Sequence, residues 1–133
     1  MTEPRFLSLP DVLQIHADTI AREGGQSSLR DVRLLESAMA LPRQALGGAY
    51  LHEDVLAMAA AYLYHLTRNH PFVDGNKRTG AIAAFAFLDA NGFDLRARPK
   101  ALQDVAEAVA AGEMDKAALA DWFRGTVRRR SSR

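Results

Sequence analysis

Residues 69–80, which read NHPFVDGNKRTG, hold the side chains of this sequence that are best suited to phosphate chemistry. Gly75 allows a backbone to approach a ligand closely, and it stands where a long apolar segment begins. If that segment is a helix, its first N–H groups are unpaired and its positive dipole end favours an anion. Lys77 and Arg78 would lie in the first turn, where cations are unfavourable unless an anion joins them. This stretch therefore predicts a phosphate site. Arg78 would bind two phosphate oxygens at once, and Lys77 would add a compact positive charge.

Two more residues of this stretch could take part in the chemistry itself. His70 precedes the predicted helix, where its imidazole could accept a proton from an attacking hydroxyl. Asp74 lies beside the cations, either as their ion-pair partner or as a ligand of Mg²⁺ that is held together with phosphates. Plainer interpretations remain: His70 could cap the preceding helix, Asp74 could be a turn residue, and Lys77 and Arg78 could be solvated. Phe72 is expected to anchor the loop in the core.

Two apolar segments flank this loop and must position it. Residues 53–68 and residues 76–91 are apolar on almost all sides, which predicts two buried central helices. Four further helices are predicted around them from helix caps and apolar periodicity. They are expected to follow the caps Ser8, Ser28 and Asp115 and to cover residues 99–111. Because no convincing strand pattern is present, the expected fold is all-α, a compact bundle of about six helices with the active-site loop between the two central ones.

Length and composition exclude several classes of protein. The 133 residues suit one domain, and 48% hydrophobic residues suffice for a core. No apolar run approaches the roughly 20 residues that a membrane span needs, and the first ten residues lack the pattern of a secretory signal. Since the sequence has no cysteine, it can form no disulfide. The composition therefore permits a cytoplasmic protein and argues against a membrane span.

Charge is unevenly distributed along the chain. The formal net charge is +1, but residues 128–133, RRRSSR, contain four arginines and no acid. Without these four, 13 of the 17 basic residues remain against 16 acidic ones, a net charge of −3. The sequence thus predicts a domain over residues 1–127 and a basic disordered tail over residues 128–133. A contact of this tail with nucleic acid or an acidic partner is the alternative, although the acidic body offers no broad DNA-binding surface.

HPFVDGNKRTG resembles the central motif of the Fic/Doc superfamily, His-x-Phe-x-Asp/Glu-Gly-Asn-Gly/Lys-Arg. The matching positions are His70, Phe72, Asp74, Gly75, Asn76, Lys77 and Arg78. Residues 23–48 resemble the N-terminal half of Doc toxins, and residues 87–93, FLDANGF, resemble the segment that follows the motif. The likeness extends over about residues 5–125 and implies the Fic/Doc fold.

Two departures from the typical Fic pattern point to the Doc branch. Typical Fic enzymes have glycine where Lys77 stands and arginine where Ala81 stands, and they attach AMP to a protein hydroxyl. Resemblance to Doc implies instead an ATP-dependent protein Ser/Thr kinase. Such a toxin moves the γ-phosphate of ATP to a threonine of elongation factor Tu and so blocks translation. We suggest that the bulk of Lys77 changes where the phosphates can lie, so that a different phosphorus faces the nucleophile.

The resemblance also implies a role for each residue of the motif. His70 would be the base that activates the target hydroxyl, and Asp74 would hold Mg²⁺. Gly75, Asn76, Lys77 and Arg78 would position the phosphates of ATP, as phosphoryl transfer requires. Doc toxins are inhibited by a Phd-type antitoxin whose C-terminal segment folds into a groove on the toxin, so DNA would be contacted only indirectly through that antitoxin.

Two alternatives stay open at this level. The chain could transfer AMP or another nucleotide to a protein, or it could be a catalytically idle binding module. The Lys77 and Ala81 departures argue against the first, and the intact motif argues against the second. Residues 19–24, TIAREG, also match the short pattern by which some Fic proteins inhibit themselves through a glutamate. Glu23 has a plainer role as well, at the end of a helix before two glycines.

Overall fold

The structure, a computed structural model that describes residues 3–131, is built from six α-helices. The helices are α1 Leu9–Glu23, α2 Val32–Ala40, α3 Val55–Asn69, α4 Asn76–Ala90, α5 Pro99–Ala110 and α6 Lys116–Thr126. A 3₁₀ turn, Leu41–Arg43, and four short strands, β1 Ala45–Leu46, β2 Ala49–Tyr50, β3 Phe93–Leu95 and β4 Val127–Arg129, complete it. The predicted all-α bundle is thus confirmed. None of the helices in the described part of the chain has the length and apolar character that crossing a membrane requires.

The two central helices, α3 and α4, pack against each other and form the centre of the core, as predicted. Gly80 permits their close approach, because a Cβ there would lie 2.8 Å from Thr67 Oγ1 and 3.2 Å from the Leu63 carbonyl oxygen. Closer to the C-terminal end of α4, the buried rings of Phe87 and Tyr62 meet with centroids 5.0 Å apart. This packing fixes the ends of α3 and α4 and therefore the ends of the loop between them.

Helix caps follow the sequence pattern at α1 but not at α2. Ser8 and Asp11 form a reciprocal capping box, with the Ser8 N–H donating to Asp11 at 2.8 Å and the Asp11 N–H donating to Ser8 at 3.1 Å. At α2 the predicted cap Ser28 is wrong, since the carboxylate of Asp31 caps this helix. Ser28 instead accepts the N–H of Val73 through its carbonyl oxygen at 3.0 Å. Its segment is extended because it pairs with the loop after α3.

Arg128, Arg129 and Arg130 are held by the fold, which differs for these three residues from the predicted disordered tail over residues 128–133. β4 pairs with β3 in antiparallel register. Arg130 donates to Asp89 at 2.7 Å and to Asp94 at 3.0 Å. The ladder and the two carboxylates hold residues 128–130 in place, so the folded domain continues past residue 127. Residues 132 and 133 lie outside the described part of the chain.

Three basic side chains meet between α3 and α6. His65 Nε2 lies 3.1 Å from Lys116 Nζ, and His52 is close enough for its charge to affect His65. Burial, followed by the charges of Lys116 and His52, lowers the pKa of His65 to about 4. Burial and the charge of Lys116 also lower the pKa of His52 below its ordinary value of 6.5. This cluster therefore favours neutral imidazoles in the folded state.

We expect the free energy of unfolding to fall as the pH decreases from about 6.5 towards about 4. The reason is that the unfolded chain protonates these histidines at a higher pH than the folded chain does. Urea unfolding midpoints measured at about pH 7 and about pH 5 test this. His65→Asn should flatten the dependence, and an equally steep loss of stability in that variant would contradict the assignment to His65.

Candidate active site

His70 ends α3 in a left-handed backbone conformation, with φ 51° and ψ 56°. Among residues 3–131 it is the one non-glycine residue with a positive φ, a conformation that costs energy unless its surroundings impose it. The Arg30 guanidinium does so, since Nε donates to the His70 carbonyl at 2.6 Å and Nη2 donates to the Asn69 carbonyl at 2.9 Å. The carbonyls of Asn69 and His70 are thereby satisfied, and the backbone that carries the exposed imidazole of His70 is held in place.

Asn76, the first residue of α4, ties that helix to the loop. Its buried Oδ1 accepts the Phe72 N–H at 3.0 Å, and its Nδ2 donates to the Phe72 carbonyl at 2.9 Å. The same Nδ2 lies 3.3 Å from His70 Nδ1. The amide side chain is therefore used inside the loop. The role of Asn76 in positioning phosphates stays a prediction, and its backbone N–H, one of the first in α4, is the group that remains for such a contact.

His16, on α1, packs against the loop between α3 and α4. Its buried ring stacks on Phe72 with centroids 3.6 Å apart and an interplanar angle of 7°. Because a carbonyl can only accept, His16 Nε2 donates to the Asp74 carbonyl, at 2.8 Å. Gly75 lies over this ring with φ 83°, and a Cβ there would lie 3.5 Å from His16 Nε2 and 3.3 Å from Ile20 Cδ1. His16 and Ile20 thus support the turn that leads into α4.

Sequence reasoning missed His16. Its one signal was the helical spacing, four residues after Val12 and four before Ile20, which places it on the apolar face of α1. A histidine at such a position is usually a core residue with a hydrogen bond, and nothing in the spacing named Asp74 as the acceptor. Arg30 gave no signal either, since its partners lie about forty residues along the chain.

The Asp74 side chain is exposed at the outer edge of the loop. Its Oδ2 accepts the Gln26 N–H at 2.8 Å, and Gly25 is so near that an added Cβ would lie 3.1 Å from Asp74 Cβ. Within residues 3–131 no group of three or more metal-binding side chains forms. A single carboxylate fits Mg²⁺, which proteins often bind through one or two carboxylates together with the phosphates of a substrate.

Each cation of the predicted phosphate site contacts a carboxylate from another helix. Arg78 Nε lies 2.9 Å from Glu23 Oε2 at the end of α1. Lys77 Nζ donates to Glu107 Oε1 on α5. All four side chains are between about one third and about one half exposed, so both pairs are screened by water. The electrostatic field that would attract an anion is therefore partly offset by the protein's own acids.

A cavity of about 520 Å³ begins at these two ion pairs. Its polar end is formed by Glu23 and residues 75–78, while its other end is apolar. The apolar lining comes from α4, β3 and α5 and includes Ile82, Phe85, Leu95 and Leu102. The volume is that of an ordinary small-molecule site. The structure thus brings Gly75, Asn76, Lys77 and Arg78 to one cavity, whereas His70 and Asp74 are outside its lining, on the loop that precedes α4.

Comparisons with known proteins agree with this architecture. Residues 6–88 match the model of the Fic/DOC family. The chain is 44% identical over 97 residues to "Toxin Doc" of Mycolicibacterium smegmatis, an alignment that covers 73% of this chain and 71% of that protein. The chain therefore belongs to the Fic/DOC family, and within it to the branch of the Doc toxins. The resemblance seen in residues 69–80 is confirmed.

The contact between Glu23 and Arg78 gives the self-inhibition hypothesis a concrete form. We expect Glu23→Gly to raise the transfer rate at low nucleotide concentration by up to about five-fold, the range of a partly exposed ion pair. Initial rates measured with purified protein test this. Asp18→Asn is the matched control, because Asp18 is an exposed acid of α1 that bonds Gln14 and is outside the cavity lining. Unchanged activity in Glu23→Gly would end the hypothesis.

Proposed function

We propose that this chain is the toxin of a toxin–antitoxin pair that transfers the γ-phosphate of ATP to a threonine of elongation factor Tu and so blocks translation. One observation carries the proposal. The first turn of α4, with Gly75, Lys77 and Arg78, lies directly after a loop that presents the exposed His70 from a fixed backbone. A predicted phosphate site next to an exposed imidazole is the arrangement that phosphoryl transfer to a hydroxyl requires.

Each residue of the motif would have its own role in the transfer. The N–H groups at the start of α4 and the Arg78 guanidinium bind the phosphate oxygens, and Lys77 adds charge. His70 accepts the proton of the attacking threonine hydroxyl while that oxygen bonds to the γ-phosphorus and the bond to ADP breaks. Asp74 would hold Mg²⁺, whose chemistry is to neutralise the charge on the phosphates. The rate of transfer would then depend mainly on how the reacting groups are positioned and on how the charge of the phosphates is neutralised.

Two residues favour γ-phosphate transfer over nucleotide transfer. Lys77 stands where typical Fic enzymes have glycine, and its side chain takes up space at the polar end of the cavity. Ala81, where those enzymes have arginine, is buried in the cavity wall and brings no second guanidinium to more distant phosphates. Both features would limit strong phosphate binding to the first turn of α4. A single strong phosphate site of this kind favours binding of the terminal phosphate of ATP.

The partners follow from the same proposal. A Phd-type antitoxin would place its C-terminal segment against the apolar half of the cavity. Phe85, which is 49% exposed, and its neighbour Ile82 suit contact with the apolar face of a helix. DNA would be contacted only through this antitoxin, and the protein would act in the cytoplasm, where elongation factor Tu is found.

The test uses purified protein, Mg²⁺, elongation factor Tu, and ATP labelled at either the γ- or the α-phosphate. We expect label on elongation factor Tu from the γ position only. Label from the α position would overturn the kinase assignment and favour nucleotide transfer. Absence of label from both positions, with a folded protein and an intact target, would remove elongation factor Tu as the substrate.

A further inference from the structure

Glu107 lies on α5, 30 residues beyond Lys77 in sequence, yet its carboxylate accepts a hydrogen bond from the Lys77 ammonium. It also lines the cavity whose polar end is formed by Gly75 and Arg78. The motif of residues 69–80 does not include it, and no pattern in the sequence marked it. A carboxylate thus lies at the place that the proposed function assigns to phosphates.

The energy of this contact decides what it can do. Lys77 is in the first turn of α4, where the helix dipole disfavours a cation, so a nearby carboxylate compensates. The side chains of Lys77 and Glu107 are 49% and 56% exposed, and an exposed pair of this kind contributes little to stability. A ligand with several negative charges on adjacent phosphates can therefore displace Glu107 from Lys77.

The sign of the effect follows from charge. Removing the Glu107 carboxylate would free the N–H donor of Lys77 that it now binds and would take one negative charge from the cavity wall. Both changes strengthen anion binding. The Lys77 side chain would also lose the contact that orients it. This would matter less, because a lysine ammonium is a flexible point charge and does not need the fixed orientation of a guanidinium.

We propose that Glu107 limits the affinity of this site: it competes with phosphate for Lys77 and so weakens the binding of nucleoside triphosphates. The inference rests on the proposed function, since it takes the first turn of α4 as the phosphate site. It gives α5 a role in nucleotide binding, in addition to the roles of the loop and α4.

The test compares the dissociation constants of ATP with Mg²⁺, and of pyrophosphate, for the wild type and Glu107→Gln by titration calorimetry. We expect Glu107→Gln to bind both about three-fold more tightly, the scale of a partly exposed ion pair. Asp104→Asn is the matched control, since Asp104 is an exposed acid of α5 that pairs with Lys100 at 2.7 Å and does not line the cavity. A gain no larger than that of Asp104→Asn would overturn the proposal.

A second comparison separates competition for Lys77 from general repulsion. In a Lys77→Met background, Glu107→Gln should lose most of its gain, because no ammonium remains to be released. The same gain in both backgrounds would show that Lys77 is not the group in competition. If the wild type binds neither ATP nor pyrophosphate, the proposed function fails. If it binds both and Glu107→Gln binds no tighter, only the role of Glu107 fails.

Discussion

Replacing His70 by alanine is expected to abolish phosphoryl transfer while the fold stays intact. Its imidazole is exposed, so its loss creates no cavity in the core. Loss of a general base typically lowers a rate by roughly 10²–10⁴-fold. The measurement is the initial rate of γ-label transfer, together with the urea unfolding midpoint of the same preparation.

The backbone at His70 requires a second variant as a control. Its φ of 51° is left-handed, and alanine is strained there, whereas asparagine tolerates this conformation. His70→Asn should therefore keep the unfolding midpoint closest to that of the wild type and still lose transfer. Substantial transfer in either variant would remove His70 from the mechanism. A loss of transfer that merely tracks a loss of folding would show that His70 acts structurally.

Asn76→Ala should lower both stability and activity. The substitution leaves the buried N–H and carbonyl of Phe72 without their partner and frees the loop beside His70. Unsatisfied buried groups of this kind cost about 2–4 kcal/mol together. Urea unfolding gives the change in the free energy of unfolding, and the transfer rate per folded molecule gives the separate effect on the site.

Asn91 offers a matched control at the opposite end of α4. Its amide also bonds both backbone groups of one residue, accepting the Arg5 N–H at 2.8 Å and donating to the Arg5 carbonyl at 3.1 Å. We expect Asn91→Ala to be less stable than the wild type but equal to it in transfer rate per folded molecule. If Asn76→Ala likewise kept the wild-type rate per folded molecule, the loop would not depend on this amide for its catalytic geometry.

Much of the fold and of the candidate site was predictable because its determinants are local. The two apolar segments that became α3 and α4, the capping box at Ser8 and the cap at Asp115 each depend on residues within a few positions. The motif of residues 69–80 spans a single junction between helices. Its order along the chain therefore places Gly75, Lys77 and Arg78 at the start of a helix before any tertiary contact is known.

Only the tertiary structure decided which distant side chains hold and modify that junction. His16, Arg30 and Glu107 reach the loop or Lys77 from 58, 40 and 30 residues away in sequence. It also ordered Arg130 against Asp89 and Asp94, where composition alone indicated a solvated tail. The reason is physical: helix formation and capping are set by neighbours in the sequence, whereas these hydrogen bonds and ion pairs form only after packing brings separate helices together.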